Sequence, residues 1–160
     1  MIGYSVLEYD QIVSTHPLDV PPLSFTTKAC WIVLDCCEEI PHADVAGSLH
    51  GEEHALIAAM PVQVLCVLSD IGGVSTPFHQ DIGNAAIFIY DGVPGGLGLA
   101  EKEAEVFPNI LRLARDIVSS CSCESGCPSC IHSQKCGKNN QPLSKTGTIT
   151  LLSFLTEGIP

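Results

Sequence analysis

Basic residues are scarce in this 160-residue chain: 7 lysines and arginines stand against 18 aspartates and glutamates, for a formal net charge of −11. Phosphate contacts supply most of the affinity of a free-standing nucleic-acid binder, so this balance excludes a strong autonomous grip on DNA. The nucleotide-binding motifs are missing as well. Neither a G-x-x-x-x-G-K-[S/T] run nor a G-x-G-x-x-G run occurs, and no ATP-binding apparatus is found in these residues. Long apolar runs are absent: the most apolar segment, 55–68, is interrupted by Pro61 and Gln63 and is too short for a bilayer span. The N-terminus lacks a basic region followed by an apolar run, so no targeting signal is read and a cytoplasmic location is expected. With 46% hydrophobic residues, 16% charged residues and a mean hydropathy of +0.30, the chain is nonetheless apolar for a small soluble protein. That composition implies a face buried against something else, such as the rest of a larger protein.

What the chain has in quantity is cysteine. Five of nine fall in residues 121–136, CSCESGCPSCIHSQKC, spaced C-x-C-x3-C-x2-C-x5-C. A tetrahedral Zn²⁺ with sulfur at about 2.3 Å explains this spacing best. The pair Cys127/Cys130 reads as a turn that aims both sulfurs inward, stiffened by Pro128, with Gly126 free to take an unusual backbone angle. The expected ligands are Cys123, Cys127, Cys130 and Cys136, with Cys121 as the alternate, since a C-x-C pair can also hold one ion. Four thiolates leave a site charge of about −2, which Lys135 and Lys138 are placed in sequence to offset. An iron–sulfur cluster stays open on sequence alone. Disulfides fit poorly with an odd number of cysteines and no signal peptide, and Cys30, Cys36, Cys37 and Cys66 sit in apolar contexts like reduced core thiols. A lone catalytic thiol would not need four neighbours.

In chain order, residues 1–16 read as one or two strands, and Pro17, Pro21 and Pro22 mark an extended connection. A β-branched and aromatic strand follows at 25–34, then an acidic loop ending at Asp44, a plausible helix cap. Val45, Leu49, Leu56, Ile57 and Met60 form a helical stripe over 45–60, with Pro61 as its end. Two uniformly apolar strands, 62–68 and 85–90, are separated by a polar connection at 74–84 and imply a sheet covered on both faces. DGVPGGLG (91–98) turns into a helix over 99–120, kinked or restarted at Pro108. Ser144 can cap a final helix over 146–156, stopped by Gly158. The expected fold is α+β: a mixed sheet packed with helices in residues 1–120, a cysteine loop at 121–140 and a closing helix at 144–157, all within a single domain.

Other groups are weighed in the same way. The loop with Asp91, Gly95, Gly96 and Gly98 stands where helix N-termini bind phosphates, yet tight backbone packing explains it as well. His50 and His54, one turn apart, could grip a metal, but the run H-G-E-E-H is not H-E-x-x-H, and a polar helix face or a buried network serves equally. A stand-alone metalloenzyme would require Glu53, His54, Asp70 and Asp91 to converge in one open pocket. Lys135, Lys138 and Lys145 make a small positive patch in or beside the cysteine run, a candidate DNA contact or a solvated loop.

Taken together, GEEHAL, SDIGG, IFIYDGVPGGLGLAE and CSCESGCPSCIHSQKCGKNNQPLSK, in that order, resemble the zinc-binding C-terminal domain of MrfA-type superfamily 2 DNA helicases over roughly residues 20–156. The family's cysteines carry over onto Cys123, Cys127, Cys130 and Cys136, with Cys121 also matching. The resemblance implies a domain at the C-terminal end of an ATP-dependent 3′–5′ DNA helicase linked to DNA repair. The motor is not in these residues, so the expected role is a non-catalytic module holding one structural zinc. Its expected partners are helicase motor domains in cis or in trans and, through them and weakly, DNA, with no membrane.

Overall fold

The computed structural model describes residues 3–8, 11–17, 21, 23–35, 40, 41 and 44–157. Pro22, Cys36, Cys37 and the helix stop at Gly158 therefore lie outside the described residues. Along the chain run β1 (Gly3–Glu8), β2 (Gln11–Pro17), β3 (Ala29–Leu34), α1 (Val45–Gln63), a 3₁₀ turn (Leu68–Asp70), β4 (Ile71–Thr76), β5 (Ala85–Asp91), α2 (Leu99–Ser120) and α3 (Lys145–Glu157). β1 and β2 form an antiparallel pair of their own, and the second sheet has the order β3-β5-β4. The α+β class is as expected, helices packed on a sheet with a cysteine loop near the C-terminus. The described strand pairings are all antiparallel.

α1 is the axis of the fold. Every residue from Gly47 to Leu56 is buried, histidines and glutamates included. A helix enclosed on all sides has no solvent face, and this one packs against α2, α3, β4 and β5. It passes through Pro61 to Gln63, because a proline in the last turn forfeits only one hydrogen bond, and Val64 N–H still reaches Met60 O at 2.8 Å. The strand expected at 62–68 consequently does not form. Val62, Leu65, Val67 and Leu68 are exposed, with Leu65 wholly so.

The third strand is instead β4, inside the segment read as turn and polar connection. Gly72 and Gly73 look like breakers in sequence, but both lie under large neighbours. A Cβ on Gly72 would stand 2.4 Å from the Tyr90 ring, and one on Gly73 would stand 2.7 Å from Glu53 Oε1. β5 is the central strand, as its apolar run suggests, with Ile87 and Ile89 buried against the helices. The sheet is not covered on both faces. Trp31, Phe88 and Val74 pair across the three strands on its outer side, with Trp31 59% exposed.

α3 crosses α1 at very close range. Ser144 Oγ accepts from Gly147 N–H at 3.3 Å, which starts α3 as the sequence suggests. Thr148 Oγ1 lies against Ser48 O and Ser144 O, and a Cβ on Gly147 would come within 1.8 Å of Ser48 Oγ. Overpacking costs typically about 1–3 kcal/mol. Gly147→Ala should therefore lower stability by about that amount in urea denaturation, whereas an unchanged midpoint would mean that the helices cross more loosely than described.

Candidate metal centre

α2 ends at Ser120, and Cys121 turns the chain into an extended conformation (φ −71°, ψ 126°). From there the backbone loops back on itself. Gly126 takes φ +120°, and Cys127 O accepts N–H bonds from Cys130, Ile131 and His132 at 3.0–3.2 Å. The tight turn brings four sulfurs together. Cys121 Sγ lies 3.6 Å from Cys123 Sγ and 3.5 Å from Cys127 Sγ; Cys130 Sγ lies 3.5 Å from Cys123 Sγ and 3.8 Å from Cys127 Sγ. All four fall within 4.8 Å of one another.

These separations decide between chemistries. Disulfide sulfurs stand about 2.05 Å apart, far closer than any pair here. A tetrahedral ion with sulfur at about 2.3 Å has ligand–ligand edges of about 3.8 Å, close to the four distances measured. A multi-iron cage would interpose several metal atoms and spread the sulfurs further. The donor set and its geometry therefore fit zinc. Burial would raise the Cys123 thiol, yet hydrogen bonds from Cys130, Cys121 and Cys127 bring it down to about 7, while burial pushes Cys130 up to about 12. Without a cation, the four sulfurs cannot all be thiolates at neutral pH.

The sulfur set differs from the one the spacing favoured. Cys121 joins Cys123, Cys127 and Cys130, and Cys136 is directed elsewhere. After the turn, Ile131 is drawn into the core beside α1, where its carbonyl accepts from the His54 ring at 2.8 Å. Residues 132–136 then run along α1, and Cys136 Sγ arrives 3.3 Å from His50 Nε2.

Three lysines were singled out in sequence, and they have separate fates. Lys145 is buried; its Nζ donates to Cys121 O and Cys123 O, both at 2.6 Å, so it is turned to the backbone of the cysteine loop and not to solvent. It is the lysine held against the backbone of the cysteine loop, a place beside the sulfurs that sequence proximity assigns to Lys135 and Lys138. Lys135 donates to Leu68 O and Ile71 O at 2.6 and 2.9 Å, tying the cysteine loop to the start of β4. Lys138 is exposed on the rim of a cleft of about 500 Å³ that follows β4.

The Asp91 loop is a helix-capping device. The Asp91 carboxylate is buried and accepts backbone N–H bonds from Leu97, Gly98 (2.8 Å), Leu99 (3.2 Å) and Ala100 (2.8 Å). Gly95, Gly96 and Gly98 take φ near +80°, which wraps the loop around that carboxylate. Asp91 is thus fully engaged. Asp70 accepts from Val67 N–H at 3.1 Å at the 3₁₀ turn, and only Glu53 and His54 of the proposed metalloenzyme quartet line the cleft. The quartet does not converge.

Two carboxyls escaped notice in sequence because a glutamate on a helix normally faces water. Glu52 and Glu103 are fully buried, and among the described residues no hydrogen-bond partner meets their oxygens. Burial, with the Asp91 charge as a lesser cause, pushes Glu103 up to about 8. Its carboxyl thus holds a proton in the folded chain between its unfolded value of 4.5 and about 8, where the unfolded chain has lost it. Folding stability contributed by this group is full below the unfolded value and falls by up to about 1.4 kcal/mol per pH unit as pH rises towards 8. Glu103→Gln should therefore gain on the parent chain steadily from pH 5 to pH 8 in denaturant titrations. Parallel stability curves would contradict a protonated Glu103.

Comparison with known proteins bears on this centre. The family model of the MrfA Zn-binding domain matches residues 52–131. An uncharacterised protein of Methanocaldococcus jannaschii is 38% identical over 110 residues, covering 67% of this chain and 98% of that protein. The ATP-dependent helicase YprA of Bacillus subtilis is 32% identical over 120 residues, 74% of this chain but 16% of the helicase. A crystal structure of the DUF1998 helicase MrfA bound to DNA superposes with a TM-score of 0.70 at 29% identity, covering 92% of this chain and 19% of that one. The chain thus spans less than a fifth of the helicases it matches.

Proposed function

The chain belongs to the MrfA Zn-binding domain family, and from that premise we propose that it is the zinc-stabilised, non-catalytic accessory module of an ATP-dependent DNA helicase. The observation that carries this reading is the sulfur tetrahedron of Cys121, Cys123, Cys127 and Cys130. One zinc held there is structural. With four protein ligands, no coordination position is left for a substrate, and the thiolate–zinc bonds join the end of α2 to the turn at Cys127–Cys130.

The partner surface is the outer face of the sheet. Trp31, Val74 and neighbouring Phe78 are exposed, and the acidic chain offers little else to recommend it as a free nucleic-acid binder. This face packs on the helicase motor, in cis or in trans, and Lys138 approaches the DNA that the motor holds, while Lys135 stays tied to Leu68 O and Ile71 O. Lys145, turned inward, is not part of that contact. Repair of DNA, in the cytoplasm, is the setting we assign from the resemblance. No helix among the described residues is long and apolar enough to cross a membrane.

Two experiments test the reading. Structural zinc contributes about 10–16 kcal/mol in zinc-finger peptides, more than the stability of most small domains. Cys127→Ser should accordingly lose its zinc by elemental analysis together with its cooperative unfolding transition. A variant that unfolds like the parent would refute a structural metal. With the helicase motor present, Trp31→Asp combined with Val74→Asp should abolish ATP-dependent unwinding while zinc content and circular dichroism stay unchanged. Undiminished unwinding would remove the sheet face from the interface.

A further inference from the structure

We propose that His50, His54 and Cys136 form a second zinc site, separate from the four-cysteine centre, with its fourth coordination position open to the cleft along β4. One ligand atom from each residue lies within 4.8 Å of the others. The measured approach, Cys136 Sγ to His50 Nε2 at 3.3 Å, falls within about 0.3 Å of the roughly 3.5–3.6 Å sulfur–nitrogen edge of a tetrahedron built from Zn–N of about 2.0–2.1 Å and Zn–S of about 2.3 Å.

The imidazoles are prepared for a metal by their other nitrogens. His50 Nδ1 is 2.9 Å from Pro142 O, and His54 Nδ1 is 2.8 Å from Ile131 O. A carbonyl oxygen only accepts, so each Nδ1 carries the hydrogen and Nε2 is the nitrogen left to bind a metal. Donation of the second ring nitrogen to a backbone carbonyl is how metal-bound histidines are held and oriented. Both side chains project from one turn of the buried α1, with ring centroids 4.4 Å apart, so neither has freedom to swing away.

Cys136 is fixed from its own side. Asn140 braces the turn, accepting from Ser133 N–H at 2.7 Å and donating to Ser133 O at 3.0 Å. The Asn140 N–H then points at Cys136 Sγ, 3.2 Å away, which suits a thiolate. Asn139 and Asn140 hold left-handed angles, φ 54° and 58°, to make this turn.

Three protein ligands beside a cleft differ from four in a closed knot: such sites leave one position for water or another oxygen donor. The cleft is also lined by Glu53, Ser75, Tyr90 and Lys138. Lys138 on its rim favours an anionic oxygen donor at the open position. The bland alternative is a simple S–H···N hydrogen bond from Cys136 to His50, with no metal.

Metal counting separates the two. The folded chain is loaded with zinc, freed of weakly held metal and analysed beside Cys136→Ser and Cys127→Ser. The expected result is one zinc equivalent fewer in Cys136→Ser than in the parent. A Cys136→Ser chain with as much zinc as the parent overturns the proposal. The comparison does not depend on the four-cysteine reading, which is tested by the loss in Cys127→Ser. Should Cys136→Ser fail to fold, cobalt(II) titration of the parent chain decides. Two equivalents with distinct visible spectra, one of them showing a single thiolate, support the second site, and a spectrum that saturates at tetrathiolate alone overturns it.

Discussion

Four sulfurs gathered within 4.8 Å of one another leave room for a single cation between them. As thiolates they repel one another in a site partly shielded from water, and a cation at the centre offsets that repulsion. The remainder of the C-terminal half is arranged around that constraint. α2 delivers Cys121 from its last turn, the Gly126 turn returns Cys127 and Cys130, and Lys145 from the first turn of α3 grasps the carbonyls of Cys121 and Cys123. One ion at the centre would lock the end of α2 to the turn at Cys127–Cys130, and Lys145 ties that knot to α3.

α1 connects this knot to the rest of the molecule. Its buried histidines reach the cysteine loop through Ile131 O and Cys136 Sγ, and its glycine-poor end runs on past Pro61. Its small residues admit α3 at close range, while Glu53 backs β4. The same helix therefore carries groups facing the knot, the cleft and the sheet. A single helix thus holds the three in fixed relation to one another.

Much of this was legible in sequence. The spacing of Cys127 and Cys130 is local, as is the glycine before them, and local geometry survives in any fold. The strand at β5 and the long helix α2 followed from uniform apolarity and from a 3.6-residue stripe. The identity of the fourth sulfur did not follow, because it depends on the path of residues 131–136 across α1, a tertiary matter. Lys145 lies 22 residues beyond Cys123, so sequence proximity pointed to Lys135 and Lys138 instead. Gly72 and Gly73 resembled a turn because nothing in sequence shows that a Tyr90 ring and a glutamate stand over them. The run at 62–68 misled for the opposite reason: Val62, Leu65, Val67 and Leu68 are exposed and only Val64 is buried, because α1 continues into the run and no strand forms.

The account rests on a single ion bound by sulfur alone at the end of α2. Zinc-edge X-ray absorption on the Cys136→Ser chain examines that centre in isolation. The account predicts one shell of four sulfurs at about 2.3 Å. A shell containing nitrogen or oxygen, or iron neighbours in place of zinc, would contradict it.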